Sequence, residues 1–301
     1  MEPERYAQAV AAMTEQGRLD EAIDLAHEAL QRLADDHSDR PLWLAQLGEL
    51  YDGIGDVTRA ESSYTNALTL LGEAKGREGV RARLLTDLGR VYLRQQKHLE
   101  AEETARQAVD VVESSPSADA TNIAFALRHL AVVYLYRRDF GSAEPVLERV
   151  LRLVGTALAP DDPEIATALT DLAHVYEQRG RADDAESLRE EARAIVAAPY
   201  RRLSDRIEDM LRACGATERQ LAEVVHGLAQ GHQPPQPYLA TQEHADALDE
   251  LAWMLFVRAP ELNRNAIATS AMMVDLARNG AMSWSEILEH LAATEVAAAR
   301  A

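Results

Sequence analysis

A chain of 301 residues with 47 % hydrophobic content can bury a sizeable core, which excludes a disordered protein. Fifty acidic residues against 31 basic ones leave a formal charge of −19, spread through short acid/base alternations of the sort found on solvated helix faces. A field of that sign argues against nucleic-acid and anionic-membrane partners, and the single cysteine, Cys214, permits no intrachain disulfide and suits a reducing cytoplasm.

Aromatic residues make up only 5 % of the chain, and abundant alanine favours thin, closely packed helices. The N-terminus "MEPERYAQAV" lacks a basic segment followed by an apolar one, and no run of about 18 apolar residues occurs. Neither export nor membrane spanning is therefore expected.

The helical pattern begins with Ala9-Val10, Met13, Ala22, Ala26 and Ala29, a weak version of the later units. The next stretch carries Leu47-Gly48, Tyr51, Ala60, Tyr64 and Ala67; then come Leu88-Gly89, Tyr92, Ala101, Ala105 and Ala108. The same spacing returns as Leu130-Ala131, Tyr134, Ala143, Leu147, Val150, and again as Leu172-Ala173, Tyr176, Ala185, Arg189, Ala192. Tyr51, Tyr92, Tyr134 and Tyr176 thus recur every 41–42 residues, and self-similarity at a fixed period marks a repeat architecture. In each unit the small residue after Leu lets the first helix approach its partner, Tyr fills the gap one turn later, and Ala of the second helix marks the close crossing. Short turns separate the helices at Gly17, Gly55, Arg138 and Gly180, and Asp20, Asp56 and Asp139 fall where a carboxylate meets free N–H groups and a favourable helix dipole. Since one helix pair cannot bury both faces, the units at about 3–35, 41–74, 80–114, 121–156 and 163–197 must stack.

This pattern resembles the tetratricopeptide repeat (TPR), and its period resembles the kinesin-light-chain-like subgroup, with "LAPDDPEIATALTDLAHVYEQRGRADDAESL" (158–188) the closest stretch. The resemblance covers Tyr6 to Val196 and implies an all-α, right-handed TPR superhelix over 1–198, followed by a helical region at 199–301. There are departures. The large residue of the second helix is Ala105 in one unit and Arg189 in the last, and the asparagine this subgroup often carries before the Leu-Ala pair is replaced by Gln46, Asp87, His129 and Asp171. Kinesin-like cargo specificity is therefore not implied.

In such a superhelix the first helix of each pair lines the groove. Helical phase places Gln46, Glu49 and Asp52 there, then Arg83, Asp87, Arg90 and Arg94, then Phe125, Arg128, His129 and Tyr136, and finally Asp171, His174 and Glu177. Two readings compete for the arginines. Either Arg83, Arg90 and Arg94 pair with acids on neighbouring helices, or this strip with Phe125, Arg128, His129, Tyr136 and His174 binds a protein or peptide with acidic and apolar side chains. His129 and His174 on adjacent first helices read as polar groove residues rather than metal ligands, because no third ligand at fixed spacing accompanies them. In "APDDPE" (159–164), Pro163 starts a helix, and the segment lacks the ligand pattern of a calcium loop.

The next tyrosine of the period would fall near Glu218, so the repeat stops, and "AAPYRRL" around Pro199 reads as a boundary. Further helices are expected at 203–214, 217–229, 243–257, 261–278 and 283–299, the last opened by a Ser283/Glu286 capping box, with "GHQPPQPYLATQ" (231–242) an irregular connection. This region either caps the solenoid or docks a second partner. The stripe "LDELAWMLFV" (248–257) reads as core, Cys214 as a small apolar residue, and His226, His232, Glu243 and His244 match no metal arrangement.

No phosphate loop, nucleophile elbow or Cys/His pair occurs, so the expectation is a non-catalytic scaffold or adaptor without cofactor, and a long groove with solenoid ends is compatible with a homodimer. The alternatives are a peptide-sensing regulator that sequesters a protein, and, less favoured, an enzyme or metal protein housed in the C-terminal helices. A DNA-binding effector is not expected, because Pro199 to Ala301 carries nine arginines against fourteen acids.

Overall fold

The computed structural model describes residues 3–34, 37–72, 76–116, 118–229, 232–258 and 273–298. Among the described residues every regular element is helical: α1 (Pro3–Glu15), α2 (Leu19–Arg32), α3 (Arg40–Gly53), α4 (Val57–Leu71), α5 (Glu78–Arg94), α6 (His98–Glu113), α7 (Ala120–Tyr136), α8 (Phe140–Ala157), α9 (Pro163–Gln178), α10 (Ala182–Cys214), α11 (Glu218–Ala229) and α12 (Gln242–Trp253). A 3-10 turn at Gln236–Leu239, a π-helical turn at Met254–Arg258 and a final helix, α13 (Trp284–Ala298), complete the set, with 273–278 also helical. The chain forms two compact units, one of Met1–Ala159 with Ala168–Leu188, the other of Pro160–Thr167 with Arg189–Ala301.

The first unit is the repeat array, an all-α solenoid. From α1 to α8 the helices pack in consecutive hairpins, and α2, α4 and α6 each pack on the first helix of the next pair. The small residues expected at the crossings do that work: Ala22, Ala60, Ala101, Ala143 and Ala185 are all 0 % exposed. A Cβ on Gly48 would stand 2.7–2.9 Å from three ring atoms of the enclosed Tyr64, so α3 approaches α4 more closely than any side chain would permit. Three of the four repeated tyrosines tie successive pairs together by their hydroxyls. Tyr51 shares a 2.7 Å hydrogen bond with His27 Nε2, Tyr134 accepts one of 3.0 Å from Arg106, and Tyr176 donates one of 3.4 Å to Glu148.

Every turn within a hairpin requires one residue in the left-handed region. Gly17, Gly55 and Gly180 supply it at φ 72°, 82° and 77°, and in the two remaining turns Gln96 (61°) and Arg138 (58°) adopt it instead. Asp56 and Asp139 cap the next helices, accepting from Arg59 N at 3.0 Å and Ser142 N at 3.1 Å. Asp20 instead lies inside the first turn of α2, where it faces the dipole without a side-chain cap. α9 opens at Pro163, as expected.

Pro199 differs from its expected role as a boundary: α10 runs through it without a break, and the division into units falls between Leu188 and Arg189. Proline removes one N–H from the ladder, the one that would reach the Ile195 carbonyl, and the helix continues regardless.

In the second unit, Tyr200, Leu203, Ile207 and Met210 of α10 share a core with Leu221 and Val225 of α11, Leu248 and Leu251 of α12, and Trp284, Ile287 and Leu291 of α13. Capping boxes open two of these helices. Ser283 N donates to Glu286 at 2.7 Å, with Glu286 N donating back to Ser283 Oγ at 3.2 Å, and Thr217 exchanges the same pair with Gln220 at 2.8 and 3.3 Å. The "LDELAWMLFV" stripe divides by face: Leu248, Leu251, Met254 and Leu255 are buried, whereas Trp253 and Val257 are exposed. Of the helix expected at 261–278, residues 261–272 lie outside the described residues.

Candidate partner-binding face

The first helices α3, α5, α7 and α9 carry the residues assigned to the groove by phase. On α3 and α5 the structure brings acids and arginines into one network. Arg83 donates to Glu49 at 2.8 Å, Arg90 lies 3.6 Å from Asp52 and 3.1 Å from Asp87, and Arg94 binds the Asp52 carboxylate as well as donating to the Asp52 carbonyl at 2.9 Å. On α7 and α9, Arg128 Nε donates to Asp171 at 2.8 Å. The arginines therefore do pair with neighbouring helices.

The layering of this network matters as much as its connectivity. The Asp52 and Asp87 side chains are only 13 % and 12 % exposed, while those of Arg83, Arg90 and Arg94 are 70 %, 52 % and 42 % exposed. Asp52 and Asp87 thus form a floor under the guanidinium groups, while Glu49, 44 % exposed, stands beside Arg83, and the face presents arginine N–H groups to solvent on a strongly acidic chain. Burial raises the Asp87 carboxyl above its ordinary value, outweighing the stabilising field of Arg90. Phe125 and Tyr136, towards the two ends of α7, stand 58 % and 63 % exposed.

His129 differs from the open groove residue expected. Its Nε2 lies 2.7 Å from where a Cβ on Gly89 would be, enclosed and without a hydrogen-bond partner, and burial pushes the imidazole down to about 4. Gly89 is small because a histidine from the next repeat occupies the space beside it. His174 lies on α9 with its ring edge-on to Phe140 at 6.2 Å, so it does not converge with His129. Among the described residues no group of three His, Cys, Asp or Glu side chains is placed to hold a metal.

A second ladder is one that helical phase did not reveal. Glu61 pairs with Lys97 at 2.9 Å, Glu102 with Arg137, and Glu144 with Arg179 and, at 2.9 Å, with Arg181. Its signal was present in the glutamate that directly succeeds the crossing alanine in four units: Glu61, Glu102, Glu144 and Glu186.

Tandem helical hairpins with small-residue crossings, tyrosine links and a variable first-helix face define a repeat solenoid, a class built to present extended surfaces to other proteins. Family models described as tetratricopeptide repeat match residues 44–78, 80–156 and 129–201, and the chain belongs to that family. No curated protein sequence matches it. Among solved structures it is similar to a Podosopora anserina putative kinesin light chain with nearly identical TPR-like repeats (22 % identity, 67 % of this chain and 99 % of that one, TM-score 0.59). It is also similar to BtubC (BKLC) from P. vanneervenii (23 %, 65 % and 80 %, 0.59) and to the apo form of RapI (12 %, 97 % and 98 %, 0.58). At these identities the likeness is one of fold. Among the described residues no helix is long and apolar enough to cross a membrane.

Proposed function

We propose that this protein is a non-catalytic scaffold or adaptor that binds a peptide or protein segment with acidic and apolar side chains on its first-helix face. The observation that carries the reading is the layered network: Arg90 and Arg94 lie over the sheltered carboxylates of Asp52 and Asp87, Arg83 pairs beside them with the more open Glu49, and the exposed rings of Phe125 and Tyr136 stand on the same array of first helices. An arginine already held by a carboxylate has surrendered much of its rotamer freedom, which otherwise costs about 0.5–1.5 kcal/mol per side chain on binding. Its outward N–H donors can fork onto a partner's carboxylate, while exposed rings on the next first helix receive apolar side chains. Arg128 and His174 extend the face, and His129 supports it from below.

The test is affinity capture from host cells with the wild type and two double variants, Arg90→Gln/Arg94→Gln and Phe125→Ala/Tyr136→Ala. The aromatic variant touches only exposed rings, so its melting temperature should match the wild type while its partner is lost. An unchanged set of captured proteins with both variants would remove this face from consideration.

A further inference from the structure

The second unit contains a trough between α10 and α13 that the repeat array does not account for. Its cavity of about 620 Å³ falls in the range of ligand-binding clefts. The floor is made by Ala197, Tyr200, Leu288 and Ala292, with the exposed Ala293 in the wall. Short side chains, Ser204 and Ser285 included, leave the depth unfilled, so an occupant must bring the bulk itself. The α10 wall traces one helical stripe from Arg193 to Glu208, about 22 Å at 1.5 Å per residue, or four turns.

Charge divides this trough along its length. Arg193 stands at the end nearer the start of α10 and Arg201 near the middle, one turn before Asp205, whereas Asp205, Glu208 and Glu289 make the remaining rim acidic. These three carboxylates have no ion-pair partner among the described residues, although many other acids of the chain do. A long, half-open, apolar trough with small-residue walls and an uncompensated acidic rim suits a third helix laid against two.

We infer that the α10–α13 trough docks an amphipathic helix of a partner protein, with large apolar side chains seated over Ala197, Leu288 and Ala293 and basic side chains meeting Asp205, Glu208 and Glu289. This site is separate from the first-helix face of the repeats and takes a segment of opposite charge.

The experiment titrates the full-length chain against fluorescein-labelled model helices of about five turns, read by anisotropy. One helix carries leucine on a single stripe and lysine elsewhere; the other has glutamate in place of lysine. Saturable binding of the lysine helix is expected. Asp205→Lys with Glu289→Lys should weaken it by about tenfold or more and strengthen the glutamate helix, because complementary rim charges set the sign of the preference. Ala293→Trp, at an exposed wall position, should abolish binding of both without changing the melting temperature. Arg90→Gln/Arg94→Gln should have no effect, so this test and that of the repeat face fail independently. Non-saturable binding, or binding insensitive to both trough variants, would reduce the effect to general attraction by the −19 chain and overturn the proposal. Self-association of the unliganded protein that Ala293→Trp abolishes would give the trough to a second copy and overturn it equally.

Discussion

Gly48→Ala tests whether the repeat is built on close helix approach. Two effects oppose each other. In mid-helix alanine is favoured over glycine by about 1 kcal/mol, so on propensity alone the substitution stabilises α3. Against this, the added Cβ would lie 2.7–2.9 Å from Tyr64 ring atoms, and Tyr64 is 0 % exposed, so the ring cannot swing aside without displacing its neighbours. Overpacking of this kind costs about 1–3 kcal/mol, and with three ring atoms in collision the upper part of that range applies. The net expectation is destabilisation by about 1–2 kcal/mol. Gly155→Ala supplies the control: Gly155 lies in α8 with nothing within 4 Å of an added Cβ, so it should gain about 0.5–1 kcal/mol. Urea unfolding monitored by far-UV circular dichroism measures both, and hydrogen exchange should place the Gly48→Ala loss in α3 and α4. Combining Gly48→Ala with Tyr64→Leu should cost less than the sum of the two, as contacting sites do. If Gly48→Ala is as stable as Gly155→Ala, close approach is not what the small residue provides.

The same packing and charge arrangement sets three further outcomes. His129 has its imidazole pushed down to about 4 against an ordinary 6.5; the unfolded chain therefore takes up the proton first, and stability falls as pH drops from about 6.5 towards 4, by up to about 3 kcal/mol. Urea midpoints at neutral and acidic pH should show that loss shrinking in His129→Gln. A double-mutant cycle between Asp52→Ala and Arg94→Ala should give a coupling of about 0.5–1.5 kcal/mol that weakens with salt, since the carboxylate is sheltered and the guanidinium half open; zero coupling would make the network ornamental. Arg138→Gly should raise the melting midpoint, relieving about 1 kcal/mol of left-handed strain at φ 58°.

The features legible in the sequence are those every unit must repeat. Each hairpin faces the same crossing, so Ala22, Ala60, Ala101, Ala143 and Ala185 recur, and the capping aspartates Asp56 and Asp139 act within three residues of themselves. The left-handed residue of the turn was legible only through register, because Gln96 and Arg138 do not look like glycine. Pro199 misled because tertiary burial outweighs a local preference. Proline in a helix interior costs about 3 kcal/mol, whereas burying Tyr200, Leu203, Ile207 and Met210 on one continuous helix returns about 1.5–3 kcal/mol each.

The arginines of the face illustrate the other limit. Phase assigned Arg83, Arg94 and Arg128 to one first-helix face, but it could not supply their acids, which sit 34, 42 and 43 residues away, where no local pattern links them. Once the stack forms, each arginine has two employments at once, one towards the acid beneath and one towards solvent. Reversing its charge then strikes both: a glutamate at position 90 would face Asp52 and Asp87 directly, and a lost partner would not be distinguishable from a loosened stack. Phe125 and Tyr136 are exposed rings outside that network, which makes the aromatic pair, rather than the arginines, the decisive probe of what this face recognises.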